Sequence, residues 1–166
     1  MNTTSNRHGS AVVTLPSDTT ILITRQFDAP AAGVFRALTT PELVKRWWGF
    51  DTSEWQVCDI DLRVGGAWRY VMVANQGFEV AFHGEYREIV PTERIVSTEA
   101  YEGVPDPDGT ATLVTCTFDE TDGRTTLTQL VECHTQEIRD MILDSGMEGG
   151  MQEAMDALER VAVELV

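Results

Sequence analysis

The polar side chains best suited to acid–base chemistry lie in one strand-like run, FHGEYREIV. His83, Glu85 and Arg87 alternate along it, so they share one face of a strand, whereas Phe82 and Tyr86 lie on the other. An imidazole directed into an apolar cavity exchanges a proton near neutral pH, because its ordinary pKa is about 6.5. His83 is therefore a candidate catalytic residue, and its competing role is that of a hydrogen-bonded structural histidine.

Glu99 and Arg69 are the other candidate catalytic residues, and each lies in a strand-like run of its own. Either would serve only if its strand turned it inward, since a buried carboxylate with a raised pKa is a mark of functional sites. We expect the acidic residues of the turns to be solvated surface, namely Glu102, Asp106, Asp108, Glu120 and Asp122.

Aromatic residues are concentrated between Trp47 and Tyr70, in the stretch WWGFDTSEWQVCDIDLRVGGAWRY. All four tryptophans of the chain lie there. A buried tryptophan contributes a large apolar surface and needs a partner for its ring N–H. The stretch predicts an aromatic interior, which is either a packed core or the wall of a pocket.

Motifs that would assign a reaction are missing from the sequence. It contains no nucleophile elbow, no HExxH pair and no CxxC spacing. Gly65 and Gly66 precede a strand rather than a helix, so they predict a tight turn and not a phosphate loop. We therefore expect no metal and no cofactor, and the sequence leaves open whether the protein is an enzyme.

The charge balance narrows the range of partners. The 166 residues include 12 basic and 27 acidic side chains, for a formal net charge of −15. Such a chain repels nucleic acid and anionic lipid surfaces. Three cysteines without metal spacing indicate free thiols, and no apolar run resembles a signal peptide or a membrane span. We expect a cytoplasmic protein with no nucleic-acid partner and no stable membrane insertion.

Hydrophobic periodicity divides the chain into a tail and one domain. Residues 1–17 are rich in Ser, Thr and Asn and predict a flexible N-terminal tail, and residues 18–166 form a single domain. Apolar spacing of three and four predicts two short helices after Asp28 and Thr40, and a long helix that begins near Gly146 or Gly149. Alternating runs predict seven strands, at residues 19–27, 55–61, 67–74, 78–89, 94–101, 111–120 and 125–134.

The order of these elements predicts an α+β architecture. Short turns force the last six strands into an antiparallel meander, and the long C-terminal helix is the only large amphipathic element that can cover one face of the sheet. A curved seven-stranded sheet wrapped around that helix encloses a cavity unless side chains fill it.

Sequence motifs spread over this pattern carry a family resemblance. In chain order they are FDAPAAGVFRALTTPELVKRWWG, DLRVGGAWRYVM, FHGEYREIVPTERIVSTEAY and MEGGMQEAMDALERV. Together they resemble the family named after activators of the Hsp90 ATPase, in the START-like or SRPBCC superfamily with the helix-grip fold. The resemblance covers about residues 19–166.

The resemblance implies a cavity between the sheet and the last helix. Trp68, Tyr70 and Met72 share one face of a strand, and methionine adapts to irregular apolar ligands. The competing interpretation is that these side chains simply pack together. The candidate ligand-binding residues are Trp47, Trp68, Tyr70, Met72, Met151 and Met155.

Three functions are consistent with this fold, because the superfamily hosts binders, enzymes and cochaperone domains. The first is a binding module for a hydrophobic or lipid-like small molecule. The second is an enzyme similar to polyketide cyclases and aromatases, which would need His83, Arg69, Tyr70 or Glu99 inside the cavity. The third is a chaperone-linked or stress-linked partner-binding protein. An uncovered sheet edge or the Trp47–Trp48 region offers a surface for a homodimer.

Overall fold

An antiparallel sheet of eight strands forms the framework of the protein. The structure is a computed structural model that describes residues 9–49, 54–74 and 77–165. The strand order is β1-β2-β8-β7-β6-β5-β4-β3. The strands are β1 (Val12–Thr14), β2 (Thr20–Phe27), β3 (Glu54–Ile60), β4 (Ala67–Val73), β5 (Glu79–Val90), β6 (Arg94–Tyr101), β7 (Thr112–Thr121) and β8 (Arg124–Glu132).

Four helices complete the fold, and the longest is C-terminal. The helices are α1 (Ala31–Thr39), α2 (Pro41–Trp47), α3 (Gln136–Asp144) and α4 (Met147–Glu164). The α+β arrangement, the two short helices between β2 and β3 and the long last helix are as predicted. No described helix is long and apolar enough to cross a membrane.

The prediction of seven strands was wrong by one, because β1 lies in the segment assigned to the tail. Val12 pairs with Thr24 of β2, and the backbone of Ala11 exchanges two hydrogen bonds with the Gln152 side chain of α4, at 3.0 and 2.8 Å. Three residues are too short for an alternating pattern to stand out. Residues 1–8 of the predicted tail lie outside the described residues.

Helix α4 begins where the sequence predicted. Gly146 precedes it with a φ of 81°, in the left-handed region that favours glycine. The helix then continues through Gly149 and Gly150. Pro30 occupies the cap position of α1, and Asp28 forms an ion pair with Arg124 at 2.9 Å.

A buried ion pair fixes α4 across the sheet. Arg25 of β2 is 2% exposed, and its Nη2 lies 2.8 Å from Asp156 Oδ1 and 3.4 Å from Glu159 Oε1 on α4. The alternation of β2 places Arg25 on the same face as Ile21 and Phe27, which are fully buried. The face of the sheet that carries Arg25 is therefore the concave face, toward α4.

Candidate functional site

Strand register identifies the residues that share the concave face with Arg25. Hydrogen-bonded pairing sets Tyr70 opposite Phe82, Phe82 opposite Tyr101, and Tyr86 opposite Ser97. Glu99 lies between Ser97 and Tyr101 on the same face, because side chains alternate along β6. The concave face therefore combines aromatic rings with a carboxylate.

Six rings form what we call the aromatic cluster: Trp48, Trp55, Trp68, Tyr70, Phe82 and Tyr101. Trp48 packs on Tyr70 and Phe82 with ring centroids 5.1 and 5.2 Å apart, and Trp68 lies 4.7 Å from Tyr70. Phe82 extends the cluster to Tyr101 at 5.0 Å. The cluster joins the end of α2 to strands β3–β6.

Trp47 lies outside this cluster, although the sequence selected it as a ligand-binding residue. Its indole Nε1 donates a hydrogen bond to the carbonyl oxygen of Ala37 at 2.9 Å, which holds it against α1. Trp48, the next residue, is the one that contacts the concave face. The sequence predicted that one of the pair would pack inward but could not distinguish them, because α2 ends between them.

Most of the predicted wall residues are closely packed. Trp68, Tyr70, Met72 and Met155 are 6%, 7%, 1% and 6% exposed, whereas Met151 is only half-buried. Their burial supports the interpretation that these side chains belong largely to the core. Their roles in ligand binding stay predictions.

Accessible side chains lie farther along the same face, toward the end of β6. Tyr101 is 43% exposed, Glu99 is exposed, and Ser97 and Val114 are half-buried. Glu99 is nevertheless densely surrounded by protein, and this loss of hydration raises the pKa of its carboxyl group above the usual 4.5. We call this accessible part of an otherwise largely buried face the cleft.

Three polar groups at this cleft have no hydrogen-bond partner within the described part of the chain: the Glu99 carboxylate and the hydroxyls of Tyr70 and Tyr86. Both hydroxyls keep solvent-accessible surface even though each tyrosine is at most 7% exposed. Burial raises the pKa of Tyr70, and Tyr86, Cys58 and Glu99 nearby add to the increase. Both phenols therefore stay protonated near neutral pH and can donate hydrogen bonds.

Cys116 and Gln129 form the neighbouring part of the concave face. The Gln129 amide donates a hydrogen bond to Cys116 Sγ at 3.5 Å. Burial raises the pKa of the Cys116 thiol to about 11, so the sulfur is a neutral thiol and a poor nucleophile. This pair shapes the cleft without supplying a reactive group.

His83 and Arg69 lie on the opposite, convex face, so neither meets the condition of turning inward, and the contacts of His83 fit the competing role of a hydrogen-bonded structural histidine. His83 Nδ1 is 2.8 Å from Glu102 Oε2 and its Nε2 is 2.7 Å from Asp108 Oδ1. Arg69 donates two hydrogen bonds to Glu102, at 2.9 and 2.8 Å. The four side chains form a surface ion cluster that holds residues 102–108 against the sheet.

Within this ion cluster Asp108 is exposed, as expected, whereas Glu102 is half-buried, which corrects the expectation that Glu102 is solvated surface. Arg69 and His83 hold the pKa of the Glu102 carboxyl at about 2, and the hydrogen bonds that the His83 ring donates to Asp108 and to Glu102 raise the pKa of His83. An imidazole with a carboxylate at each nitrogen is stabilised as the cation. Its role is structural, since no part of the concave face is within its reach.

A groove of about 430 Å³ lies between the end of α2 and α4, and its wall includes Trp47 as well as Trp48 and Trp55 of the aromatic cluster. Its lining mixes Lys45, Arg46 and Arg160 with Glu153 and Asp156. Arg46 is already paired with Glu164 at 2.6 Å. The mixed charges of this groove define no single ligand chemistry.

The curved sheet, the α4 helix across it and the polar cleft on its concave face define a helix-grip domain of the SRPBCC class. The family model described as "Activator of Hsp90 ATPase homolog 1-like protein" matches residues 28–162. The chain therefore belongs to that family, as the sequence motifs indicated. No protein with a curated description matches the chain.

Solved bacterial structures share the whole fold. A Rhodobacter sphaeroides protein is 27% identical with a TM-score of 0.84, and the match covers 93% of this chain and 99% of that one. A Chromobacterium violaceum protein is 27% identical with a TM-score of 0.74, covering 88% and 98%. A Staphylococcus epidermidis protein is 26% identical with a TM-score of 0.77, covering 92% and 94%.

Tyr86 and Ser97 are the concave-face residues that sequence reasoning missed as site candidates. The alternation of FHGEYREIV does place Tyr86 with Phe82, on the face opposite His83. Ser97 has no such signal, because a lone serine in a strand carries no periodicity. Only the pairing of β5 with β6 brings the two residues together.

Proposed function

We propose that the protein binds a hydrophobic or amphipathic small molecule in the cleft between the concave face of the sheet and the helices α3 and α4. The observation that carries the proposal is the set of unpartnered, accessible polar groups of Tyr70, Tyr86 and Glu99 beside the aromatic cluster. Polar groups of buried residues are normally hydrogen-bonded, so the hydroxyls of Tyr70 and Tyr86 need water or a ligand as a partner, and the accessible Glu99 carboxylate can bind the same ligand.

The surroundings of these groups fit an apolar ligand body. Half-buried Val114 and Val131 on the sheet and Ile142, Met147 and Met151 on the helices pack on the edge of the core without being fully covered. A pocket of mostly apolar walls with a few placed polar groups is the usual form of a small-molecule site.

A pair of substitutions on β7 tests this proposal. Val114 is on the concave face and Thr115, the next residue, is on the convex face, so Val114→Trp fills the cleft and Thr115→Trp leaves it open. Native mass spectrometry and a thermal-shift panel of lipids, aromatic polyketides and flavonoids identify a ligand of the unmodified protein. We expect stabilisation that rises with ligand concentration in the unmodified protein and in Thr115→Trp, and none in Val114→Trp.

Equal stabilisation of both variants would place the ligand elsewhere on the molecule. Stabilisation of no variant by any compound of the panel would contradict the binding function and direct the search to protein partners. Circular dichroism of each variant establishes that the bulky side chain has not unfolded the sheet.

A second candidate function is an enzyme of the polyketide cyclase and aromatase type that uses the same cleft. Glu99 favours it, because burial raises the pKa of its carboxyl group toward the range in which a general acid or base exchanges protons most effectively. We expect such an enzyme to change the mass or absorption spectrum of its bound ligand, and the Glu99→Gln variant to bind the ligand without that change. Recovery of the ligand unaltered from the unmodified protein would exclude the reaction.

A further inference from the structure

We infer that the ligand of the concave cleft is a hydrophobic amine whose ammonium group lies against Glu99. The inference rests on the proposed binding function and adds the charge of the ligand to it.

The carboxylate itself is the first support. Glu99 projects from β6 into the cleft, and no lysine, arginine or histidine of the described chain forms an ion pair or a hydrogen bond with its side chain, whereas Glu102, three residues later, has two cationic partners. The described chain therefore supplies no counter-ion to this carboxylate, and a cation on a ligand is the partner that its charge favours. An ammonium group on a ligand supplies that cation and donates charge-assisted hydrogen bonds.

The aromatic cluster is the second support. Trp68 and Tyr70 lie with ring centroids 4.7 Å apart on the face that carries Glu99, and Tyr101, on the same strand as Glu99, contacts Phe82 at 5.0 Å. The faces of aromatic rings carry partial negative charge and attract cations. The aromatic rings and the Glu99 carboxylate therefore both favour a ligand with an ammonium head group.

The charge of the whole molecule is the third support. A formal net charge of −15 draws cations toward the protein and repels anions. The negative charge of a fatty acid or another carboxylate would be repelled both by the net charge of the protein and by the Glu99 side chain. The cleft thus disfavours anionic lipids, although its walls are apolar enough to hold their chains.

Three probes with one ring system and different head groups test the inference: 1-naphthylmethylamine, 1-naphthalenemethanol and 1-naphthoate. Isothermal titration calorimetry at neutral pH gives a Kd for each probe. We expect the amine to bind about tenfold more tightly than the alcohol, the effect of one charge-assisted hydrogen bond, and the naphthoate to bind most weakly.

Glu99→Gln is the central variant, because it keeps the shape of the side chain and removes its charge. We expect it to reduce the preference for the amine to about twofold or less, with the alcohol bound as before. Glu85→Gln is the matched control, since Glu85 is an exposed carboxylate on the convex face of β5 and should leave the preference intact. Glu99→Ser is a second, smaller replacement. It covers the case in which the amide of the Glu99→Gln variant itself forms a hydrogen bond with the probe.

The outcomes separate this inference from the proposed function. Suppose that Val114→Trp blocks binding, but that the three probes bind with equal affinity or that Glu99→Gln keeps the preference for the amine. Either result would overturn the inference that the ligand is an amine and would leave the proposed binding site in place. If no probe shows binding that Val114→Trp blocks, both the amine inference and the proposed binding function would be overturned.

Discussion

Under the proposed function, the charge of Glu99 serves ligand binding at the expense of stability. It lies on the concave face, it is accessible, and the loss of hydration raises the pKa of its carboxyl group. Because the folded-state pKa exceeds the unfolded value of 4.5, the folded protein holds this proton more tightly. The contribution of Glu99 to stability therefore falls as the pH rises from 4.5 through the folded-state pKa.

The Glu99→Gln variant should accordingly be more stable than the unmodified protein at neutral pH. We expect a Tm higher by a few degrees at pH 7 and a smaller difference at pH 4, since the carboxyl group is protonated in both states there. Differential scanning calorimetry across this range measures the effect. A lower Tm for the variant at pH 7 would show that Glu99 has a stabilising partner.

Gly84 is a second residue whose identity is set by its immediate contacts. A Cβ atom at this position would overlap the carbonyl oxygen of Thr98 on β6 and the indole ring of Trp68 on β4. We expect Gly84→Ala to lower the free energy of unfolding by about 2–3 kcal/mol, as overpacked cores do. Urea unfolding followed by tryptophan fluorescence measures it.

Gly149 provides the matched control for this substitution. It lies inside α4, and a Cβ there would meet no atom within 4 Å. Gly149→Ala should raise the free energy of unfolding by about 0.5–1 kcal/mol, because glycine weakens helix interiors. A comparable loss of stability in both variants would contradict the close contact at Gly84.

At the scale of elements, the surface ion cluster of Arg69, His83, Glu102 and Asp108 links the segment after β6 to the convex face of β4 and β5. Its histidine has a raised pKa, so its stabilising effect is complete below the unfolded value of 6.5 and is lost as the pH rises through the folded value. Glu102, with a pKa lowered to about 2, contributes above 4.5 and loses its effect as the pH falls toward 2. The cluster therefore stabilises the folded protein most between pH 4.5 and pH 6.5.

The His83→Gln variant tests this pH dependence. We expect it to be less stable than the unmodified protein at about pH 5.5 and closer to it at about pH 9, because the stabilising effect of the protonated imidazole is lost as the pH rises through its folded-state pKa. Urea unfolding at the two pH values measures the difference. His134→Gln, an exposed histidine outside the cluster, should show no such dependence, and a His83→Gln deficit that grows with pH would refute the assignment.

At the scale of the whole molecule, the formal net charge of −15 opposes the compact state through self-repulsion. Salt screens this repulsion, so we expect the Tm to rise by a few degrees when NaCl increases from about 10 mM to about 200 mM. Differential scanning calorimetry with NaCl and KCl in parallel measures the effect and controls for specific ion binding. A Tm that is constant or falls with salt would mean that the ion pairs outweigh the net repulsion.

The sequence by itself determined the class of fold and the family. Alternating and helical periodicities located every long strand and three of the four described helices, α1, α2 and α4, because burial of one face imposes a period of two or about 3.6 on each element. The short strand β1 was not predicted, because three residues are too few to show an alternating pattern. The family motifs then agreed with the order of the elements.

The tertiary structure decided which polar residues reach the cleft. Alternation along β6 places Glu99 either inside or outside, and only the pairing of Ser97 with Tyr86 fixes it on the concave face. The same pairing turns His83 outward to Glu102 and Asp108. A strand pattern records that neighbouring residues point to opposite faces, whereas the face that meets α4 depends on contacts between residues far apart in the chain, such as Arg25 with Asp156.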